Sequence, residues 1–197
     1  MVMADQALDT PSLCQLPLHQ PSHSGALEQL FSSHFIRSFG SARHTPPYWL
    51  ERLPDMLVSS VSETVKDSIR AAVILFYGIL TSNVPMQTEA NRFYAKALHG
   101  LRSRLQNETR SIGDCSTNTS TTLATDCTWV CAPIMMCYFE MMANSSPDGW
   151  ISHIEAAASM LESRGPEDCR LGMRHQIFLT VRLFMVRCHS LIIHSFS

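Results

Sequence analysis

Closely spaced cysteine pairs are missing from this sequence. Its seven cysteines are scattered over almost the whole chain, at Cys14, Cys115, Cys127, Cys131, Cys137, Cys169 and Cys188. No two of them have the two-residue separation that commonly lets neighbouring thiolates converge on one zinc ion. The sequence therefore predicts no zinc cluster, and no zinc requirement for folding.

Charged residues are also scarce. They make up 16% of the chain, while apolar residues make up 45%; an average globular protein has roughly 25% charged residues. The 15 basic and 17 acidic residues leave a formal net charge of -2, so no excess of positive charge attracts a phosphate backbone. We expect no direct nucleic-acid binding by this chain. The high fraction of apolar residues fits either a large hydrophobic core or an exposed apolar surface that binds a partner.

Signatures of enzymes and of membrane proteins are missing as well. The chain has eight glycines and no phosphate-cradling loop, nucleophile elbow or paired metal ligands at helical spacing. We therefore expect no catalytic residue, no cofactor and no metal. The N-terminus lacks a secretory pattern, and the apolar runs at 71–80 and 129–139 are too short to span a bilayer. A reducing compartment with free thiols follows from that interpretation.

Three groups of residues have a chemical interpretation and a structural one. Cys127, Cys131 and Cys137 suggest a metal or redox site, but free cysteine commonly behaves as a small buried hydrophobe, which we favour. His153 and His175 suggest an acid–base pair, against which we favour a structural role. The methionines can line an adaptable binding pocket or fill irregular gaps in a core, and core filling is favoured; they are Met135, Met136, Met141 and Met142.

Helical periodicity dominates the part of the chain that follows the first residues. Apolar residues recur every three or four positions in several segments, and no alternating pattern persists. The sequence predicts an all-α fold, an antiparallel array or bundle of about six to seven helices. Predicted helical segments lie at 27–39, 48–57 with a bend at Pro54, 63–81, 88–106, 127–143 with a kink or restart at Pro133, 147–164, and from 171 onwards.

Two segments lack such periodicity. Residues 1–25 are rich in proline, serine and glutamine, so we predict a disordered N-terminal tail followed by one helical domain over residues 26–197. Residues 107–126 are dense in serine, threonine and asparagine, which predicts a flexible internal loop.

The most informative segment is the predicted helix around Trp150. Ser146 can cap it, Pro147 can occupy its first position, and Gly165 followed by Pro166 can end it with a left-handed residue. The order of residues in this helix resembles the W-x-x-H-x-x-G-A-x-x-L-L-x-x-R-G-P segment of the helical regulatory domain in fungal zinc-cluster transcription factors. The matching positions are Trp150, His153, Ala157, Leu161, Arg164, Gly165 and Pro166, while Ala156 stands where that family usually has glycine.

The resemblance continues on both sides of this helix. Upstream are the W-L-x-x-L-P-x-L-L entry segment that begins at Trp49 and a Y-x-x-A-L-x-x-L-x-x-x-L helix that begins at Tyr94. Downstream, Ile177, Phe178 and Arg182 resemble an L-F-x-x-x-R element. Residues 31–182 thus follow the pattern in order. We expect Trp150 to anchor its helix against its neighbours, and His153 to pack or to hydrogen-bond between helices.

The resemblance implies a regulatory domain that modulates transcription without contacting DNA itself, with a metabolic gene cluster as one candidate target. In that family, DNA contact comes from a cysteine cluster, which this sequence lacks. A protein partner, self-association or a small-molecule effector is then expected, as is location in the nucleus, with the cytoplasm as the alternative. Because the family continues through further helices, the C-terminal end is expected to be a truncation and the chain a partial version of a larger helical domain. The alternative is a small-molecule-binding or catalytic helical protein that uses the methionine-rich pocket.

Overall fold

The structure, a computed structural model, describes residues 23–40, 49–113, 127–163 and 165–195. Within these ranges the chain forms seven α-helices and no strand, so the predicted all-α fold is confirmed. The helices are α1 (His23–Gly40), α2 (Leu53–Val58), α3 (Glu63–Leu80), α4 (Val84–Gly113), α5 (Cys131–Ala143), α6 (Gly149–Glu162) and α7 (Gly172–Ser195). Short 3-10 turns precede α2, α5 and α7, at Leu50–Arg52, Cys127–Val130 and Pro166–Cys169. No helix in the described ranges is both long and apolar enough to cross a membrane.

Helices α3 and α4 form a helical hairpin whose ends are set by local hydrogen bonds. The Ser62 hydroxyl caps α3 by accepting a bond from the Thr64 amide at 3.2 Å. At the turn, Ser82 adopts a positive φ of 52°, and the Asn83 side chain accepts a bond from the Met86 amide at 3.0 Å. A three-residue connection of this kind makes the two helices antiparallel neighbours.

The cap at Ser62 gives a first testable prediction. Substitution of Ser62 with alanine should lower the free energy of unfolding by about 1 kcal/mol, because one amide at the start of α3 loses its side-chain acceptor. Urea denaturation would measure the change. Ser33→Ala is the matched control, since the exposed Ser33 hydroxyl only bonds the carbonyl of Gln29 within α1. Equal unfolding midpoints for the two variants would contradict the capping role.

A cluster of aromatic rings joins four helices. Phe35 of α1 is fully buried, and its ring meets those of Phe76 in α3 and Tyr138 in α5 edge to face, at centroid distances of 5.8 and 5.5 Å. Phe184 of α7 meets Tyr138 in the same way at 5.5 Å. Such edge-to-face pairs stabilise a core beyond the area that they bury, so this cluster fixes α1 and α7 on the α3 and α5 layer.

Trp49 is the largest fully buried side chain. It precedes the turn that leads into α2, and its indole Nε1 donates a hydrogen bond to the Thr180 Oγ1 of α7 at 3.0 Å. Thr180 in turn donates to the carbonyl of Gln176 at 2.8 Å. Trp150, which the sequence pattern marks as the anchor, is only partly buried at the edge of the same core.

Several predicted boundaries differ from the observed ones. Helix α1 begins at His23, inside the predicted tail of residues 1–25, and α4 continues to Gly113, into the predicted loop of residues 107–126. The rest of both predicted segments, residues 1–22 and 114–126, lies outside the described residues. The extension of α4 beyond residue 106 contains mostly polar residues, of which Glu108 and Arg110 are good helix formers, and a search for apolar periodicity does not detect such a segment.

The prolines and the ends of α6 also differ from the predictions. Helix α5 begins at Cys131, two residues before the predicted kink or restart, so Pro133 lies in its first turn. Pro54 lies in the first turn of α2 instead of bending a helix, because a helix start leaves its first amides without intrahelical partners. Helix α6 begins at Gly149 with Asp148 as N-cap, so Ser146 and Pro147 lie in the preceding turn. Gly165 has the positive φ that was predicted, 82°, but its ψ of 165° is extended and not left-handed helical.

Candidate functional site

A polar cluster lies where α4, α5 and α6 meet, and it contains His153, the histidine of the W-x-x-H pattern. The Tyr94 hydroxyl of α4 and the His153 Nε2 of α6 form a hydrogen bond at 2.8 Å. The Tyr94 ring also stacks on Phe139 of α5, with centroids 4.3 Å apart and planes inclined by 13°. Of the two roles expected for His153, packing or a hydrogen bond between helices, the structure shows the hydrogen bond.

Glu140 of α5 completes the cluster with a carboxylate, and the residue is only 6% exposed. The carboxylate accepts a hydrogen bond from the Ser145 hydroxyl and lies close enough to the Tyr94 hydroxyl to affect its pKa. A side chain at Gly149 would bring its first carbon to 3.0 Å from Glu140 Oε2. The glycine therefore lets the first turn of α6 lie against the carboxylate, where the positive end of the helix dipole favours a negative charge.

The pKa values of the two ring residues move in opposite directions. Burial lowers the pKa of His153, an effect that the Glu140 charge opposes and the Arg102 charge assists. Burial raises the pKa of Tyr94, the nearby Glu140 carboxylate raises it further, and Arg102 acts in the other direction. Both shifts favour the neutral forms. If the His153 Nε2 carries its proton, it donates to the Tyr94 hydroxyl.

The lowered pKa of His153 predicts how stability depends on pH. The unfolded imidazole takes up a proton near its ordinary pKa of 6.5, whereas the folded one resists protonation. Stability is therefore fully present above that value and falls as the pH drops below it. Urea midpoints at about pH 8 and about pH 5.5 should differ less in His153→Gln, which keeps a donor for Tyr94, than in the wild type.

The exposed His175 supplies the matched control for that experiment. His175→Gln should keep the wild-type difference between the two pH values. If His153→Gln keeps it too, the protonation of His153 does not contribute to stability.

The other candidate residues lie apart from this cluster. His175 is exposed, and its Nδ1 pairs with the backbone carbonyl of Cys169 at 3.1 Å, so the structure gives the two histidines different partners. Cys131 and Cys137 are buried free thiols in the core, as favoured above, while nothing is described of the Cys127 side chain. Among the described residues, no three histidine, cysteine or acidic side chains come together as metal ligands.

The methionine-rich stretch divides into two parts. Met135 and Met136 are fully buried in the core, Met142 packs against it, and Met141 is 45% exposed. The core-filling interpretation therefore describes most of the stretch.

Sequence reasoning missed two residues of importance here. Glu140 is the one acidic residue in the otherwise apolar stretch CAPIMMCYFEMMA. A buried carboxylate needs hydrogen-bonding partners. A lone acidic residue among apolar ones was therefore the sequence signal that could have identified Glu140. Tyr94 was placed in its helix, but its partners come from α5 and α6. Pairings between residues 59 positions apart leave no local pattern in the sequence.

These observations define an all-helical domain in which α6 is tied to its neighbours by a partly buried polar cluster. The chain belongs to the fungal-specific transcription factor domain family, whose profile matches residues 27–191. It is also similar to an uncharacterized protein of Emericella nidulans, with 23% identity over 163 residues that cover 80% of this chain. The chain spans about a third of that relative, 32% of its length. No solved structure matches this chain.

Proposed function

We propose that this chain is a regulatory, non-DNA-binding domain of a fungal transcription regulator and that it acts in the nucleus. The observation that carries the proposal is the family match over residues 27–191, which includes nearly every described residue. The balanced charge of the chain, a net -2, supports a role without direct contact to phosphates. In a protein as long as the relative, DNA contact can be provided by another part of the polypeptide.

Regulation by this domain would act through a protein partner, self-association or an effector. The support is the number of large apolar side chains that stay exposed on the described surface, among them Val58, Leu80, Val84, Leu171, Leu183 and Val186. A contiguous exposed apolar patch is typical of interaction sites, and Leu183 and Val186 lie three positions apart on α7.

A tethering experiment tests the proposal. The chain is fused to a heterologous sequence-specific DNA-binding domain with an activation segment, and a reporter gene is measured in fungal cells. We expect reporter output to differ from that of the same fusion without the chain. The matched control carries Trp49→Ala, which destabilises the domain. Unchanged output from a fusion that is expressed and nuclear would contradict the proposal.

Direct DNA binding is tested separately with the isolated chain. Titration of labelled duplex DNA at physiological salt should show only weak binding without sequence preference. Sequence-specific binding near or below ~10⁻⁸ M, the usual range for specific complexes, would show that the chain reads DNA itself.

A further inference from the structure

Helix α7 presents apolar side chains on two opposite faces. The inner face carries Ile177 and Val181, which are buried in the core. On the opposite side lie Leu179, Leu183 and Val186, with 41%, 67% and 63% of their surface exposed. These three residues are separated by four and three positions, so they form one line about 10 Å long on the helix surface. We call this line the outer stripe. A helix that is apolar on two faces is typical of an element packed between two layers.

Arg182 provides a positive charge beside the outer stripe, and the sequence of α7 contains no aspartate or glutamate. Arg182 is exposed and adjoins Leu183 in the chain, and its guanidinium lies 5.6 Å from the ring centroid of Phe178. His175 is exposed one helical turn before Leu179. The apolar line is therefore bordered by the guanidinium of Arg182.

The apolar line and the positive charge beside it restrict which kind of molecule can pack on the outer stripe. A second copy of α7 would bring arginines towards arginines, and like charges brought together across an interface are unfavourable. An anionic membrane surface attracts polybasic proteins, but this chain carries a net charge of -2. A helix with an apolar line and flanking carboxylates matches both the leucines and the arginine.

We propose that the outer stripe of α7 is the docking surface for an amphipathic helix of a protein partner, one whose apolar line is flanked by aspartate or glutamate. The proposal rests on the proposed function, because it names the class of partner through which the domain would regulate. The hydrogen bond between Trp49 and Thr180 helps to hold α7 in place on the core. The docking surface is therefore preorganised, and ordering it on binding costs little free energy.

The probes are three fluorescein-labelled peptides of about 20 residues, long enough to form an isolated helix. One carries a leucine line with glutamate flanks, the second has the same line with lysine flanks, and the third is a scrambled version of the first. Fluorescence anisotropy with the complete chain should show binding of the glutamate-flanked peptide. The other two should bind at least tenfold more weakly, and added salt should reduce the difference between the flanks.

Two surface variants locate the binding site. Leu183→Gln should weaken binding of the glutamate-flanked peptide at least tenfold, whereas Leu30→Gln, at a 45% exposed leucine of α1, should leave it unchanged. Arg182→Glu should reverse the preference in favour of the lysine-flanked peptide. Misfolding cannot produce such a reversal, and urea midpoints equal to that of the wild type would verify that both stripe variants fold.

Three results would overturn the proposal. The first is equal binding of the glutamate-flanked and lysine-flanked peptides. The second is a dimer in sedimentation analysis that is lost in Leu183→Gln, which would make a second copy the occupant. The third is Leu183-dependent binding to phosphatidylserine vesicles without peptide binding. If the tethered chain regulates the reporter but binds no peptide, only the docking proposal fails; if it binds the peptide without regulating, the proposed function fails.

Discussion

Replacing Trp49 with alanine is expected to lower the free energy of unfolding by about 3–5 kcal/mol, the usual cost of removing a buried tryptophan or phenylalanine side chain. Domains of this kind are held together by only about 5–15 kcal/mol. The loss at Trp49 combines a cavity between the α2 turn and α7 with the removal of the hydrogen bond to Thr180. Urea denaturation should show a strongly lowered midpoint, or a chain that no longer folds.

Three further variants separate the loss of packing at Trp49 from the loss of its hydrogen bond. Trp150→Ala should cost clearly less, because Trp150 is only partly buried. Trp49→Phe should keep most of the packing and lose the indole hydrogen bond. Thr180→Val should cost about 1–3 kcal/mol, because it leaves the buried indole N–H without its acceptor. A larger loss for Trp150→Ala than for Trp49→Ala would reverse our assignment of the core anchor.

Phe35→Ala is the second variant with a large expected effect, again about 3–5 kcal/mol. Phe35 is fully buried and contacts rings from α3 and α5. Its removal opens a cavity in the aromatic cluster that holds α1 on the rest of the domain. Thermal and urea unfolding would both report the loss.

The matched control for Phe35 is another apolar residue of the same helix. Leu30→Ala removes a side chain that is 45% exposed, so we expect a change within about 0.5 kcal/mol, as for other surface substitutions. If Phe35→Ala behaves like Leu30→Ala, α1 does not contribute to the stability of the core.

The sequence predicted the helices well because burial imposes a period on apolar residues. Helix α3 shows this most clearly: the predicted range of residues 63–81 and the observed Glu63–Leu80 differ by one residue. Boundaries were less accurate where polar residues continue a helix, as in α4. A pattern of burial carries no information about a solvent-facing extension, because nothing packs against it.

The choice between Trp49 and Trp150 shows a different limit. Both tryptophans were singled out by position in the sequence pattern, yet the fully buried one is Trp49, whose partner Thr180 lies 131 residues away. Packing or a hydrogen bond between helices was expected at His153, but its partner Tyr94 and the nearby Glu140 carboxylate were not. Partners brought together by helix packing depend on the three-dimensional arrangement, which local spacing does not encode.

The hydrogen bond between Trp49 and Thr180 also has a consequence for the synthesis of the protein on the ribosome. At about 5–20 residues per second, the ribosome needs about 7–26 s to extend the chain by the 131 positions from Trp49 to Thr180. During that interval the indole has no native partner from α7, and the apolar site that receives it is incomplete. The nascent chain therefore carries an exposed tryptophan for many seconds, which makes the Trp49 segment a natural target for chaperones that recognise apolar stretches.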